Sequence, residues 1–317
     1  MTEPRHLLIT GASSGIGRVA AERLEQNGHR LTLICRDQKR AEQALAWVAP
    51  RTTVLLADLA DLAAVDRVCQ SILERGEPLD GIVLNAGLQY AGHRQPRWSA
   101  QGFELTFAIN HLAHQLLLLR LLPWLMASGQ PRLVITASEV HNPASGGGRV
   151  GRPAGLGELD GLSSTPMGAM LDGDSRFDAD KAYKDSKLCN LLMGLEASRR
   201  HPDLPVLCWS PGLVIPRDAG GFFRNSRQAN PLGQALFGFI ARDLLRITES
   251  VERAGERLQQ LVLDPADPGF VYWSNTLMGP GRHRFEAVSP SAEASNAAKA
   301  DRLWALSQER IDTALSA

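Results

Sequence analysis

The stretch "HLLITGASSGIGRVAAERLEQNG", residues 6 to 28, constrains the fold more than any other. Five apolar-rich residues run straight into three glycines, Gly11, Gly15 and Gly17, and then into a helical pattern. A short apolar run, a glycine turn and an amphipathic helix form the opening half of a β-α-β unit. Glycines in that turn let the backbone bend tightly and approach a pyrophosphate, while the helix start offers unpaired N–H groups. The pattern then repeats. "RLTLICR", "TTVLLADL", "LDGIVLNAG", "PRLVITAS" and "LPVLCWSPGLV" read as strands, separated by helical segments. "GFVYWSN" reads as a late strand, and a long helix is expected over roughly 102 to 126. Apolar strands alternating with helices imply an α/β fold, a doubly wound parallel (Rossmann) sheet with ligands at the strands' carboxyl ends.

Residues 142 to 180 interrupt the alternation, with glycines at 146, 147, 148, 151, 155, 157 and 161 among them, and read as an insert before the next helix. The segment 217–247 mixes glycine, arginine and apolar residues, and is expected to be a mobile substrate flap. With no linker or repeat visible, residues 1–317 are expected to form one domain.

Composition narrows the function. Lys plus Arg and Asp plus Glu each number 34, so the chain lacks the basic surplus that nucleic-acid binding requires. Its four cysteines, at 35, 69, 189 and 208, show no metal-ligand spacing and are expected as reduced, buried thiols. The most apolar stretch, "HLAHQLLLLRLLPWLMASG", carries Arg120 and Pro123 and is expected as a core helix rather than a membrane span. The opening residues do not read as a secretory signal, and the expected location is the cytoplasm.

Several positions carry chemistry. In the first turn, Gly11, Ser13, Ser14, Gly15, Ile16 and Gly17 are expected to cradle a dinucleotide pyrophosphate. Arg36 and Arg40 follow the second strand, where an arginine accommodates the extra phosphate of NADP; Asp37 beside them argues for NAD instead. Asp58 and Leu59 close the third strand near the expected adenine, and Asn85, Ala86 and Gly87 close the fourth. Pro211, Gly212 and Val214 follow the sixth strand and complete the expected cofactor contacts, the cofactor being NADPH. Tyr183 and Lys187 in "KAYKDSKLCN" stand four residues apart, neighbours on one helical face. A lysine there would stabilise a phenolate and lower the Tyr183 pKa, making the phenol useful in proton transfer. Asn110, a poor helix former inside the long helix, would hold a local kink and a water, and Ser138 stands at the end of the fifth strand.

TGASSGIG, NAG, Asn110, Ser138 and Tyr183-x-x-x-Lys187, in that order, resemble the short-chain dehydrogenase/reductases over residues 6 to about 215. The resemblance implies Tyr183 as acid, Lys187 as its modulator and ribose contact, Ser138 as substrate-orienting, and Asn110 as support for a relay water. "GFELTFAINHLAHQLL", "HNPASGGGRV", "GLGELDGL", "KAYKDSKLCN", "GFVYWSN" and "SAEASNAAKADRLWALS" further resemble the light-dependent protochlorophyllide oxidoreductases. That likeness implies NADPH-dependent hydride transfer to a ring double bond of a bound tetrapyrrole, and the leading expectation is a reductase of that branch acting on a bulky, apolar small molecule. The chain departs from it at Leu84 and Leu213, where that family has cysteine, and in "YWSNT", where a second tryptophan is expected. Retinol-dehydrogenase-like carbonyl reduction and a non-catalytic NADPH-binding regulator are the alternatives. Neither substrate identity nor oligomeric state is expected from sequence.

Overall fold

The computed structural model describes residues 3–215, 228 and 231–316. Eight strands join in one sheet in the order β3-β2-β1-β4-β5-β6-β7-β8. They are β1 (His6–Thr10), β2 (Arg30–Cys35), β3 (Thr53–Leu56), β4 (Gly81–Leu84), β5 (Leu133–Thr136), β6 (Pro205–Ser210), β7 (Gly269–Gly279) and β8 (Arg282–Ala287). The first seven pair in parallel, as their near-continuous apolar sequences require of strands covered on both faces. β8 pairs antiparallel with β7 and forms an edge. The sequence reading missed it because "RHRFEA" is mostly charged or polar, as suits an edge strand, with Phe285 its one large apolar side chain, packed against Trp209 and Trp273.

Two helical layers cover the sheet. One contains α1 (Gly15–Gln26), α2 (Gln38–Leu45) and a later helix, α8 (Val251–Leu263). Gly255 of α8 packs so closely on α1 that a Cβ there would come within 2.5 Å of Val19. The other layer contains α3 (Leu62–Glu74), α4 (Leu105–Met126), α6 (Ala179–Arg200) and the C-terminal α9 (Ala297–Ser316). Buried leucines of β4, β5, α4 and α6 interlock in that core. The short α5 (Asp160–Ser163) lies within the insert.

α4 begins at Leu105 rather than near 102, because Glu104 caps it by accepting from the N–H groups of Thr106 and Phe107. It continues through Pro123, and its apolar residues are mostly buried inside the fold. The turn Ala108–Leu112 is π-helical, which places the expected irregularity at Asn110. Of the expected flap, residues 217–227, 229 and 230 lie outside the described residues. The remainder holds α7 (Pro231–Gly238) and a π-helical turn, Phe239–Leu244.

Candidate active site

A cavity of about 1160 Å³ opens along the carboxyl ends of the parallel strands. Its first half is the glycine turn after β1. Gly11 adopts φ +71°, and a Cβ there would come 2.8 Å from Ala86 Cα. At Gly17 a Cβ would meet Asn85 Nδ2 at 2.4 Å. Both positions therefore need glycine for the turn and the NAG segment to touch. Ser14 precedes α1 without a side-chain cap, so the first N–H groups of α1 are not capped by it.

The turn is anchored from below by Thr10, whose hydroxyl accepts from the N–H groups of Asn85 and Ala86 at 2.9 and 3.0 Å. His114 Nδ1 lies 3.0 Å from the Asn110 carbonyl, which can only accept, so Nδ1 carries the proton. Nε2 then accepts from the Thr10 hydroxyl at 3.1 Å. Burial, with Lys187 nearby, holds His114 neutral by pushing its pKa down to about 3. A single chain of bonds thus runs from the π-turn to the NAG turn.

At the end of β2, Arg36 and Arg40 both line the cavity, whereas Asp37 is absent from its described lining. Asp37 caps α2 by accepting from the Arg40 N–H at 2.9 Å and also accepts from Arg36 Nε at 3.0 Å. Those bonds, the backbone one first, hold its carboxyl below the usual range. Asp58 and Leu59 line the adjoining wall, with Asp58 Oδ1 accepting from the Ala60 N–H.

The second half centres on α6, whose N-cap Asp178 accepts from the Lys181 N–H. Tyr183 and Lys187 both face the cavity, with Lys187 Nζ 5.8 Å from the Tyr183 ring centre. Ser138 lies two residues beyond β5, starts a short 3₁₀ turn (Glu139–His141), and hydrogen-bonds the Tyr183 phenol. The expected depression of the Tyr183 pKa is corrected here. Burial pushes the phenol up, and the Ser138 bond lowers it only in part. Lys187, almost wholly buried and donating to the Thr136 carbonyl at 3.0 Å, is pushed down to about 7 by burial. Desolvation dominates both shifts because it penalises the charged form of each group.

Asn110 does not line the cavity. Its Oδ1 accepts from the Leu88 N–H at 2.7 Å, and its Nδ2 donates to the Leu88 carbonyl and the Ser186 hydroxyl. The residue ties the segment after NAG to α6 from behind the wall. Leu84, one of the departures from cysteine, is buried in the core, whereas Leu213 lines the cavity.

Beyond Tyr183 the cavity continues between the insert and the C-terminal strands. The insert contributes Ser145, Gly146, Gly147 and Val150, and β7–β8 contributes Tyr272, Leu277 and His283. Lys184 of α6 holds the insert in place: its buried Nζ donates to the carbonyls of Gly148, Val150 and Arg152. Lys181 adds ion pairs to Asp172 and Asp185, and Asp185 accepts from the Gly155 N–H. Lys181, Lys184 and Asp185 are hydrophilic residues that the fold nonetheless buries. Their helical neighbourhood with Tyr183 was the available signal. Nothing local in sequence marks Tyr272 or His283, which reach the site through strand pairing.

The short chain dehydrogenase family model matches residues 5–148. Protochlorophyllide reductase A of Oryza sativa subsp. japonica is 37% identical over 96% of this chain and 80% of its own length. Protochlorophyllide reductase of Avena sativa is 36% identical over 97% of this chain and 100% of its own. The chain belongs to the short-chain dehydrogenases. It is therefore an oxidoreductase, and within that family it resembles the protochlorophyllide reductases. Among solved structures, this short-chain dehydrogenase is similar to an uncharacterized protein from Mycobacterium paratuberculosis, with TM-score 0.68 and 26% identity over 97% of this chain and 93% of that one. L-Sorbose reductase of Gluconobacter frateurii, at TM-score 0.60 and 17% identity over 88% of this chain and 97% of that one, shares the fold.

Proposed function

We propose that the protein is an NADPH-dependent reductase that transfers hydride to a bulky, apolar small molecule, with Tyr183 as proton donor. The observation carrying this reading is the continuous cavity that joins the glycine turn, the two arginines and the Ser138–Tyr183–Lys187 group to a second compartment bordered by the insert and β7–β8. Small-molecule sites usually occupy roughly 300–1,000 Å³, so a cavity of this size suits a dinucleotide with a second ligand. The residues fit the cofactor: Gly11 and Gly17 leave no Cβ in the cradle, α1 presents its N-terminus, and Arg36 and Arg40 suit a 2′-phosphate. Asp37, engaged as the α2 cap, is drawn away from the role of ribose acceptor.

Bound NADPH supplies the hydride. The neutral Tyr183 phenol, hydrogen-bonded to Ser138, is a donor to the strongly basic centre that hydride addition creates. Lys187 and Ser138 orient that donor, and Asn110 and His114 fix the segments carrying it. The names of the similar plant proteins support a protochlorophyllide-like ring substrate. Leu213, an apolar residue on the cavity wall, favours reduction of an apolar carbonyl compound in the dark, as in the retinol-dehydrogenase-like alternative. The intact Tyr183, Lys187 and Ser138 group argues against a regulator that only binds NADPH.

The deciding assay follows reduced-nicotinamide absorbance with apolar aldehydes and ketones in the dark, and with protochlorophyllide before and after illumination. Turnover of a carbonyl compound or of the pigment supports the reductase. NADPH binding without turnover of either would overturn it in favour of the regulator.

A further inference from the structure

Glu139 stands immediately after Ser138, and its backbone is pinned on three sides. Its N–H donates to the Ser210 hydroxyl at 2.9 Å, and its carbonyl accepts from the Ser145 hydroxyl and the Asn142 N–H. The carboxylate itself has no hydrogen bond or ion pair among the described residues, yet it lies in the second compartment of the cavity. A Cβ built on Gly147 would be 3.6 Å from Glu139 Oε1, so the carboxylate borders the insert's glycine run. Tyr272 of β7 feels its charge from the other side.

Asp58 and Glu139 are the two carboxylates among the cavity's described lining residues, and Asp58 belongs to the opposite compartment. The lining cations do not compensate Glu139. Arg36 and Arg40 follow β2 at the far end, and Lys187 is committed to the Thr136 carbonyl. The neighbouring histidine offers no proton either. His141 Nδ1 donates to the Ser138 carbonyl, Nε2 accepts from the Ser291 N–H, and burial keeps the ring neutral. The same Gly147 Cβ would come 2.9 Å from Val140 Cγ1, so an apolar side chain stands beside the acid there. Burial pushes the Glu139 carboxyl above its usual range, with no ion pair among the described residues to draw it back. A carboxylate drawn partly out of water is costly unless something pairs with it, and cavity acids of this kind mark recognition sites.

We propose that Glu139 is a substrate-recognition residue whose carboxylate receives a cationic or N–H-bearing nitrogen carried by an otherwise apolar substrate. This rests on the reading of the second compartment as the substrate site. The substrate class is then an apolar ring or chain with a reducible group near Tyr183 and a nitrogen donor directed between Gly147 and Tyr272. Glu139 acts in binding and selection and takes no part in proton transfer from Tyr183.

The test uses two ligands of equal size: an acetylbiphenyl carrying a terminal aminomethyl group, and its ethyl isostere. Dissociation constants are measured by calorimetry at neutral pH, with and without NADP⁺. A charge-assisted hydrogen bond predicts that the wild-type protein prefers the amine by roughly tenfold or more. Glu139→Gln should bring the two constants within about threefold while leaving the ethyl compound's affinity unchanged, and Glu139→Asp should recover part of the preference. Unchanged NADP⁺ affinity in the variants shows that the fold is intact. Equal binding of the two ligands by the wild-type protein, absence of amine binding, or a preference that survives Glu139→Gln would each overturn the proposal. The readout is binding, so failure of the reductase reading would appear separately, as lack of turnover with NADPH.

Discussion

Replacing Lys187 with methionine should stabilise the ligand-free protein at neutral pH while removing its activity. Lys187 is 2% exposed, and burial lowers its pKa from 10.5 to about 7. That displacement corresponds to a cost on the order of 5 kcal/mol for holding the charged form inside the fold. The sign follows from proton binding. Between about pH 7 and 10.5 the unfolded chain holds a proton here that the folded chain lacks, so the wild-type protein gains stability as pH rises through this window. The penalty is fully present below about pH 7 and absent above about 10.5. Methionine has similar length and no charge. The main loss is the hydrogen bond to the Thr136 carbonyl, but Asn190 Nδ2 also donates to that oxygen, at 3.2 Å, so it keeps a partner. Allowing for that loss and for structural relaxation, a net gain of about 1–3 kcal/mol is expected near neutrality, shrinking toward pH 10. Urea unfolding of both proteins, without cofactor, at several pH values measures the gap. A less stable variant at neutral pH, or a gap that does not close as pH rises, would refute the reasoning.

Tyr183→Phe should leave NADPH affinity nearly unchanged and lower turnover by roughly 10²–10⁴-fold, the usual contribution of general acid–base catalysis; full turnover in the variant would exclude Tyr183 as proton donor. Joint replacement of Arg36 and Arg40 with alanine should weaken NADPH by roughly 10–100-fold and NADH only slightly, since exposed arginines lose part of each charge-assisted bond to water; fluorescence titration with both cofactors checks this, and equal weakening would contradict it. Leu213→Cys exchanges a branched apolar group on the cavity wall for a polarisable thiol. Light-driven conversion of protochlorophyllide, expected to be weak or absent in the natural protein, should rise in this variant, and robust conversion by the natural protein would defeat the prediction. Lys184→Met should raise KM for bulky substrates more than it lowers kcat, because it frees the insert from α6; steady-state kinetics on a large and a small ketone decide it.

The nucleotide half was legible in the chain itself. Strand, glycine turn and helix are consecutive in sequence, so Gly11, Gly15, Gly17, Asn85, Ala86 and Gly87 reveal their site through local spacing. Tyr183 and Lys187 were legible for the same reason, since helical periodicity puts residues four apart on one face. Tertiary structure decided the rest. Whether Asp37 serves a ligand or a helix end depends on the α2 backbone it caps, and only the fold commits it to Arg40. Asn110 turns its amide to Leu88 and Ser186 because a π-turn and α6 meet there, which no spacing encodes. The direction of the Tyr183 pKa shift was misread for a related cause: proximity to Lys187 can be inferred from sequence, whereas desolvation requires every layer packed around the phenol. Tyr272 and His283 reach the cavity from more than 70 residues beyond α6 through the pairing of β6, β7 and β8. Glu139 gains its setting in the same way, since an acid after a strand borders a cavity only once the insert's Gly147 and β7 come up beside it.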